Sequence, residues 1–204
     1  MKPQSFLFSP TVNKIGVWLG ENLPPTVGYG IGLWVTNWIV RRKQNEQVRA
    51  TRTNQWVLSA KQASAAQLDK MVKAVYLSSS RSLYDYYHCL RNHAAILKTI
   101  LFDNSFEPFL QRSLAAKRGS LGVILHTGAF DLAGYAIALK GMNPQILSYP
   151  NPNAAYQWHN ELRRQVGLNV TPLSMQSLQQ ASRFLRQGGT VITGLDRPWP
   201  DANH

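Results

Sequence analysis

The chain has 204 residues, which is enough for one domain with a real hydrophobic core and marginal for two. Hydrophobic residues make up 44% of the chain, and its one cysteine is Cys89, so the composition excludes a disordered chain and a disulfide scaffold. The formal net charge of +12 suits an acidic partner: nucleic acid, an anionic membrane surface or an acidic carrier protein.

The first region, residues 1–48, is aromatic and apolar and ends in a basic cluster. Its most apolar stretch, Thr26–Val40, is shorter than the roughly 20 residues that a membrane-spanning helix needs. Tryptophan favours the headgroup level of a bilayer and basic side chains favour anionic lipids, so we expect peripheral or shallow membrane contact here. An ordinary buried helix with a charged end is the alternative. The residues predicted to contact the membrane are Trp34, Trp38, Arg41, Arg42 and Lys43.

The second region, residues 49–204, predicts one α/β domain that starts with helices. Apolar residues recur at helical spacing up to about residue 118, and from Ser120 onwards short apolar runs alternate with helical segments. This alternation predicts a mostly parallel sheet flanked by helices. The predicted strands are Leu121–Leu125, Gln145–Tyr149, Asn169–Pro172 and Thr190–Leu195, and the predicted helices between them are Asp131–Lys140, Ala154–Val166 and Ser177–Gln187.

The printed sequence stops at His204, shortly after the last predicted strand. An open α/β sheet rarely ends on a strand without a covering helix. We therefore expect the α/β domain to be incomplete at its C-terminus.

Polar residues follow two of the predicted strands at their carboxyl ends, where open parallel sheets bind ligands. His126 ends the first strand, Asp131 begins the next helix, and Asp196 follows the last strand. A carboxylate at a helix N-terminus stays ionised, and the intervening glycine-containing loop could turn Asp131 back towards the imidazole. Such a pair fixes the histidine tautomer and can deprotonate a hydroxyl that attacks a thioester. Alternatively, His126 packs under the loop and Asp131 is only a helix-terminal charge.

Several motifs occur in one order along the second region, and together they are more specific than the H-x4-D spacing alone. The segment from about Arg49 onwards resembles the lipid A biosynthesis acyltransferase superfamily, which includes the lauroyl/myristoyl transferases and the phosphatidylinositol mannoside acyltransferases. The motifs that carry the resemblance are GVILHTGAFDLAGYAIAL (122–139), SYPNPN (148–153), ELRRQVG (161–167), FLRQGG (184–189) and GLDRP (194–198).

The resemblance implies a glycerolipid-acyltransferase-like fold that moves an acyl group from a thioester to a hydroxyl of a membrane lipid or glycolipid, at the cytoplasmic face of the inner membrane. It implies His126 as catalytic base with Asp131 as its partner, Asp196 as a supporting acid, and Arg164 and Arg197 as contacts to substrate or phosphate. Acyl carrier protein and coenzyme A both remain open as donors, and the acceptor lipid is also open. The sequence departs from the family where Tyr149 replaces the usual arginine before proline.

A different class of function also fits the charge: a non-catalytic basic module that binds a membrane surface or nucleic acid. Nucleic acid is the weaker option, because the α/β half lacks the aromatic–basic interleaving that is typical of single-strand binding. We expect no metal site, since the histidines of the helical part lack the four-residue spacing of helical metal ligands. We also expect no bound cofactor, and the oligomeric state is open.

Overall fold

A computed structural model describes residues 10–115, 118–152 and 154–196. The chain divides into two compact units: Gly16–His88 forms one, and Cys89 to the C-terminus forms the other together with the first 15 residues.

The first unit is helical. Pro25 begins the second helix, at a position where a backbone N–H would have no partner within the helix. Asn45 caps the third helix, because its side-chain oxygen accepts from the backbone N–H of Gln47 at 2.9 Å. Gly28 lets the ring of Tyr84 approach the helix backbone, because a Cβ there would lie 2.0 Å from that ring. The helices are α1 (Pro10–Asn22), α2 (Pro25–Val40), α3 (Glu46–Leu58) and α4 (Ala65–Cys89); α1 starts and α4 ends just outside the unit.

The second unit carries the α/β fold. Its order along the chain is α5 (His93–Thr99), α6 (Phe106–Leu114), β1 (Ser120–Ile124), α7 (Phe130–Leu139), β2 (Gln145–Ser148), α8 (Ala154–Gln165), β3 (Asn169–Pro172), α9 (Met175–Arg186) and β4 (Thr190–Gly194). The predicted parallel α/β arrangement is confirmed, and each predicted strand lies within one residue of its observed bounds.

The four strands form one sheet in the order β1-β4-β2-β3, and every pair is parallel. Each strand is joined to the next along the chain by a helix, which is the connection that parallel pairing requires. All four carboxyl ends therefore meet at one edge of the sheet. Because β4 is inserted beside β1, the last strand brings the end of the described chain next to the segment that follows β1.

None of the helices in the described ranges is both long enough and apolar enough to cross a membrane. The predicted apolar stretch forms α2, which has 16 residues.

Candidate active site

The ends of β1 and β4 place His126 beside Asp196. Ile124 is paired with Gly194, and the amide of Leu195 extends the ladder by donating to the carbonyl of Ile124 at 3.2 Å. One residue further on, the backbone N–H of His126 donates to Oδ2 of Asp196 at 2.8 Å, and Nδ1 of the ring lies 2.6 Å from Oδ1. One carboxylate thus accepts from both the backbone and the ring of the same histidine.

This geometry defines the state of both side chains. An ionised carboxylate only accepts hydrogen bonds, so the ring proton is assigned to Nδ1 and the lone pair to Nε2. The hydrogen bond from the His126 side chain, and after it the one from the His126 backbone, hold the pKa of Asp196 below its ordinary value of 3.8. The carboxylate is therefore ionised at neutral pH and can stabilise a positive charge on the imidazole.

Two further residues fix the ring from its sides. Phe130 presents its ring edge-on to His126, with the centroids 4.9 Å apart and the planes at 78°. Gly194 lies directly under the imidazole, since a Cβ there would be 2.6 Å from Cε1. A glycine at the end of β4 is thus required for the observed position of the ring.

Asp131 has a different partner from the one that the sequence predicted. Its Oδ1 accepts from Nε of Arg163 at 2.8 Å, and a second guanidinium nitrogen lies 2.7 Å from the same oxygen. The expected contact with the imidazole is corrected accordingly: the carboxylate that bonds to His126 belongs to Asp196. The physical reason is that the arginine reaches Asp131 from α8, while β4 brings its own carboxylate closer to the ring.

The Asp131–Arg163 pair is anchored in the interior of the unit. The arginine also donates to Oδ1 of Asn160 at 2.8 Å, and that asparagine is only 1% exposed. The guanidinium carbon of Arg163 lies 5.6 Å from the ring centroid of Tyr156. The pair joins the N-terminus of α7 to α8 and so fixes the start of the helix that carries Phe130.

The arginine that the resemblance singled out lies elsewhere. Arg164 bonds to Glu161 at 3.2 Å and to the carbonyl of Val170 at 2.9 Å, whereas its neighbour Arg163 lines the cavity. Of these two arginines, Arg163 is the one that lines the cavity, and the predicted contact of Arg164 with substrate stays a prediction. Arg197 lies outside the described residues.

An apolar cavity of about 640 Å³ opens beside His126 and Asp131. Five residues of α7 line it, and four of them stand at positions i, i+3, i+4 and i+7, so one face of that helix forms a wall. The other walls include the ends of β1, β2 and β4, Leu168 and Leu173, and Thr99–Leu101 at the end of α5. His126 and Asp131 are polar side chains at one part of a largely apolar cavity. This arrangement is expected for a ligand that has a long apolar part.

His159 lies on α8 close to this cluster. Burial, and after it the nearby charge of Arg163, lowers its pKa below the ordinary value of 6.5, and the charge of Asp131 opposes this shift. A neutral imidazole is therefore favoured there at neutral pH. Within the residues that the structure describes, no group of three or more histidine, cysteine or carboxylate side chains could hold a metal ion.

The residues predicted to contact a membrane lie at the C-terminal half of α2 and just after it. Trp34 is 70% exposed, and Trp38 is 40% exposed and stacks under the guanidinium of Arg42 at 3.4 Å. Arg41 is also exposed, while Lys43 forms an ion pair with Asp69 at 2.9 Å. These two tryptophans lie on one face of the helix with Val27 and Ile31, which are exposed as well.

The chain matches no protein-family model, and it matches none of the curated proteins with which it was compared.

Sequence reasoning found His126 and Asp196 but missed their pairing, and it missed Gly194 and Asn160 as parts of the site. Helical spacing held one usable signal: Asn160 and Arg163 are three residues apart and so share a face of α8. The order of strands in the sheet, which creates the His126–Asp196 contact, left no comparable signal in the sequence.

Proposed function

We propose that this protein is an O-acyltransferase that moves a fatty acyl group from a thioester donor to a hydroxyl of a membrane lipid or glycolipid. The observation that carries the proposal is the His126–Asp196 pair at the edge of an apolar cavity. The resemblance of the ordered motifs to lipid A biosynthesis acyltransferases supports the same activity and suggests the substrate class.

In the proposed reaction, Nε2 of His126 takes the proton of the acceptor hydroxyl, and the oxygen attacks the thioester carbonyl. The imidazolium that forms is stabilised by the ionised Asp196 on the opposite nitrogen. When the tetrahedral intermediate collapses, the C–S bond breaks, and the leaving sulfur takes the proton back from His126. The products are an ester and a free thiol, and the histidine ends in its starting state.

The apolar cavity would hold the hydrocarbon chain of the donor next to this histidine. Burial of a fatty chain releases roughly 0.8 kcal/mol for each methylene that leaves water, so such a cavity favours long acyl groups. Arg163 would lie where an anionic group of either substrate could approach the site, although its carboxylate and amide partners hold it chiefly as a structural element. Asp131 then positions α7 through Arg163.

We also propose that the α2 surface formed by Trp34, Trp38, Arg41 and Arg42 contacts an anionic membrane. The exposed tryptophans favour the headgroup level of a bilayer, and the neighbouring basic side chains favour anionic lipids. The net charge of +12 also favours binding to an anionic membrane. Peripheral contact of this kind would deliver the acyltransferase to its lipid acceptor, at the cytoplasmic face of the inner membrane in the class that the chain resembles.

The decisive experiment measures acyl transfer from radiolabelled palmitoyl-coenzyme A and palmitoyl–acyl carrier protein to lipids extracted from a bacterial inner membrane. The native chain should transfer label with one of these donors, and His126→Gln should abolish transfer. His93→Gln is the matched control, because His93 is exposed on α5 and does not line the cavity. Equal transfer by the two variants would reject His126 as the catalytic base, and no transfer by the native chain would reject the proposal and favour a non-catalytic membrane-binding module.

A further inference from the structure

The wall that α7 contributes to the cavity contains one residue without a side chain. Phe130, Ala133, Gly134 and Ile137 face the cavity, and they span eight residues of the helix, a rise of roughly 10 Å. Phe130 lies against the imidazole of His126. The wall therefore runs away from the reacting end, with Gly134 about one helical turn beyond Phe130 and Ile137 nearly one turn further.

Gly134 lies beside Leu168, and the space that a side chain at position 134 would enter is otherwise open. A Cβ built there meets only Cδ1 of Leu168, at 3.4 Å, which is an ordinary van der Waals distance. Leu168 is 3% exposed and also lines the cavity, so it is held in place by its surroundings. A methyl group fits at position 134, whereas a longer side chain has to extend into the cavity itself.

We infer that Gly134 determines how long an acyl chain the cavity accepts, because the missing side chain leaves the passage open between Phe130 and Ile137. This inference rests on the proposed function for its substrate, a long saturated acyl chain, but it concerns binding and not chemistry. Ile137 follows Gly134 along α7, and the cavity lining also includes the apolar residues Pro144 and Leu168. Methylenes that reach this part are transferred from water to an apolar surface.

A long side chain at position 134 closes the passage and leaves the distal part of the chain in solvent. Each excluded methylene weakens binding roughly three- to fourfold. Gly134→Met should therefore weaken palmitate binding by about 50-fold or more relative to hexanoate, which ends before the obstruction. Helix α7 should tolerate the change, since methionine is a better helix former than glycine.

The test uses the full chain and direct binding of hexanoate, decanoate and palmitate, measured by displacement of a fluorescent fatty acid. Gly30→Met is the matched control: Gly30 is also a helical glycine, and an added Cβ there has no heavy atom within 4 Å. The control should keep the chain-length profile of the native protein. Selective loss of palmitate binding in Gly134→Met supports the inference, and equal weakening of all three fatty acids, or no change, overturns it.

Two additional measurements keep the result interpretable. If Gly134→Met fails to fold, as judged by circular dichroism, Ile137→Ala tests the same passage in the opposite direction and should strengthen palmitate binding relative to hexanoate. An unchanged ratio in that variant also overturns the inference. Acyl transfer by the native protein is measured separately: a shifted binding profile without any transfer rejects only the proposed function, and transfer without a shifted profile rejects only the role of Gly134.

Discussion

Oδ1 of Asp196 lies 2.6 Å from Nδ1 of His126, although the two residues are 70 positions apart in the chain. The same carboxylate accepts the backbone N–H of His126 through its other oxygen. It therefore holds both the tautomer of the imidazole and the direction in which Nε2 points. In the proposed acyl transfer this carboxylate, and not the nearer one in sequence, stabilises the imidazolium.

Replacing Asp196 by asparagine tests this assignment. The ring and the backbone of His126 donate to different oxygens of Asp196, and an amide has only one oxygen, so its NH2 group opposes one of the two donors. We expect kcat for acyl transfer to fall by about 10²- to 10⁴-fold. Glu161→Gln is the control, because this exposed carboxylate pairs with Arg164 and lies off the cavity. Native activity in Asp196→Asn would contradict the proposed charge stabilisation.

The glycine beneath the imidazole gives a second test. In Gly194→Ala the new methyl group overlaps the position of Cε1, so the ring has to move away from its present site. A displacement of about 1 Å at a reacting group costs on the order of 10²-fold in rate. We expect kcat to fall by about that factor while the midpoint of thermal unfolding changes little.

Gly30→Ala provides the matched glycine control for that measurement, since its added methyl meets open space. Activity equal to that of the native protein in both glycine variants would show that the imidazole does not act from its observed position.

The Asp131–Arg163 pair is expected to contribute mainly to stability. Its side chains are only 23% and 12% exposed, and Asp131→Asn leaves the guanidinium without its counter-charge in the interior of the unit. We expect the free energy of unfolding to fall by about 1–3 kcal/mol. Urea denaturation of both single variants and of the double variant with Arg163→Gln gives the coupling energy.

The kinetic part of that experiment separates positioning from catalysis. If Asp131 acts only by fixing the start of α7, Asp131→Asn should retain far more kcat than Asp196→Asn. A larger kinetic loss in Asp131→Asn, without any loss of stability, would restore it as the partner of the catalytic base.

His159 gives a prediction about pH. Its folded-state pKa is lower than the ordinary 6.5, chiefly because burial disfavours the charged ring. The neutral form therefore stabilises the fold above pH 6.5, and this contribution is lost as the pH falls through the depressed folded-state pKa. An NMR titration should show the His159 ring protons moving at a pH below 6.5, with the assignment made by their absence in His159→Gln. A midpoint above that value would contradict the burial argument.

The α2 surface predicts salt-sensitive binding to anionic vesicles. Each basic side chain near such a surface contributes about 1 kcal/mol, so the double substitution Arg41→Ser, Arg42→Ser should weaken binding to phosphatidylserine vesicles by roughly 30-fold. Lys70→Ser, Lys73→Ser removes the same charge from exposed positions on α4 and is the control. Similar weakening in both double variants would show that net charge alone, and not this surface, controls binding.

The sequence by itself determined the elements of the α/β unit and the end of the strand where His126 lies. Short β-branched runs alternate with segments of helical period, and each of these signals comes from residues a few positions apart. Local spacing also made Asp131 the natural partner for His126, because a loop of four residues joins them. That inference failed for a physical reason: the same carboxylate is within reach of an arginine on α8, which binds it with two nitrogens.

Only the tertiary structure decided which groups meet. The insertion of β4 between β1 and β2 brings Asp196 to His126 and places Gly194 under the ring. Strand order depends on the packing of the whole sheet and on helices that connect distant segments, so no local pattern encodes it. The sequence predicted the charge of the protein and the residue types of the site. The pairing of His126 with Asp196, on which the proposed chemistry depends, is a contact between residues far apart in the chain.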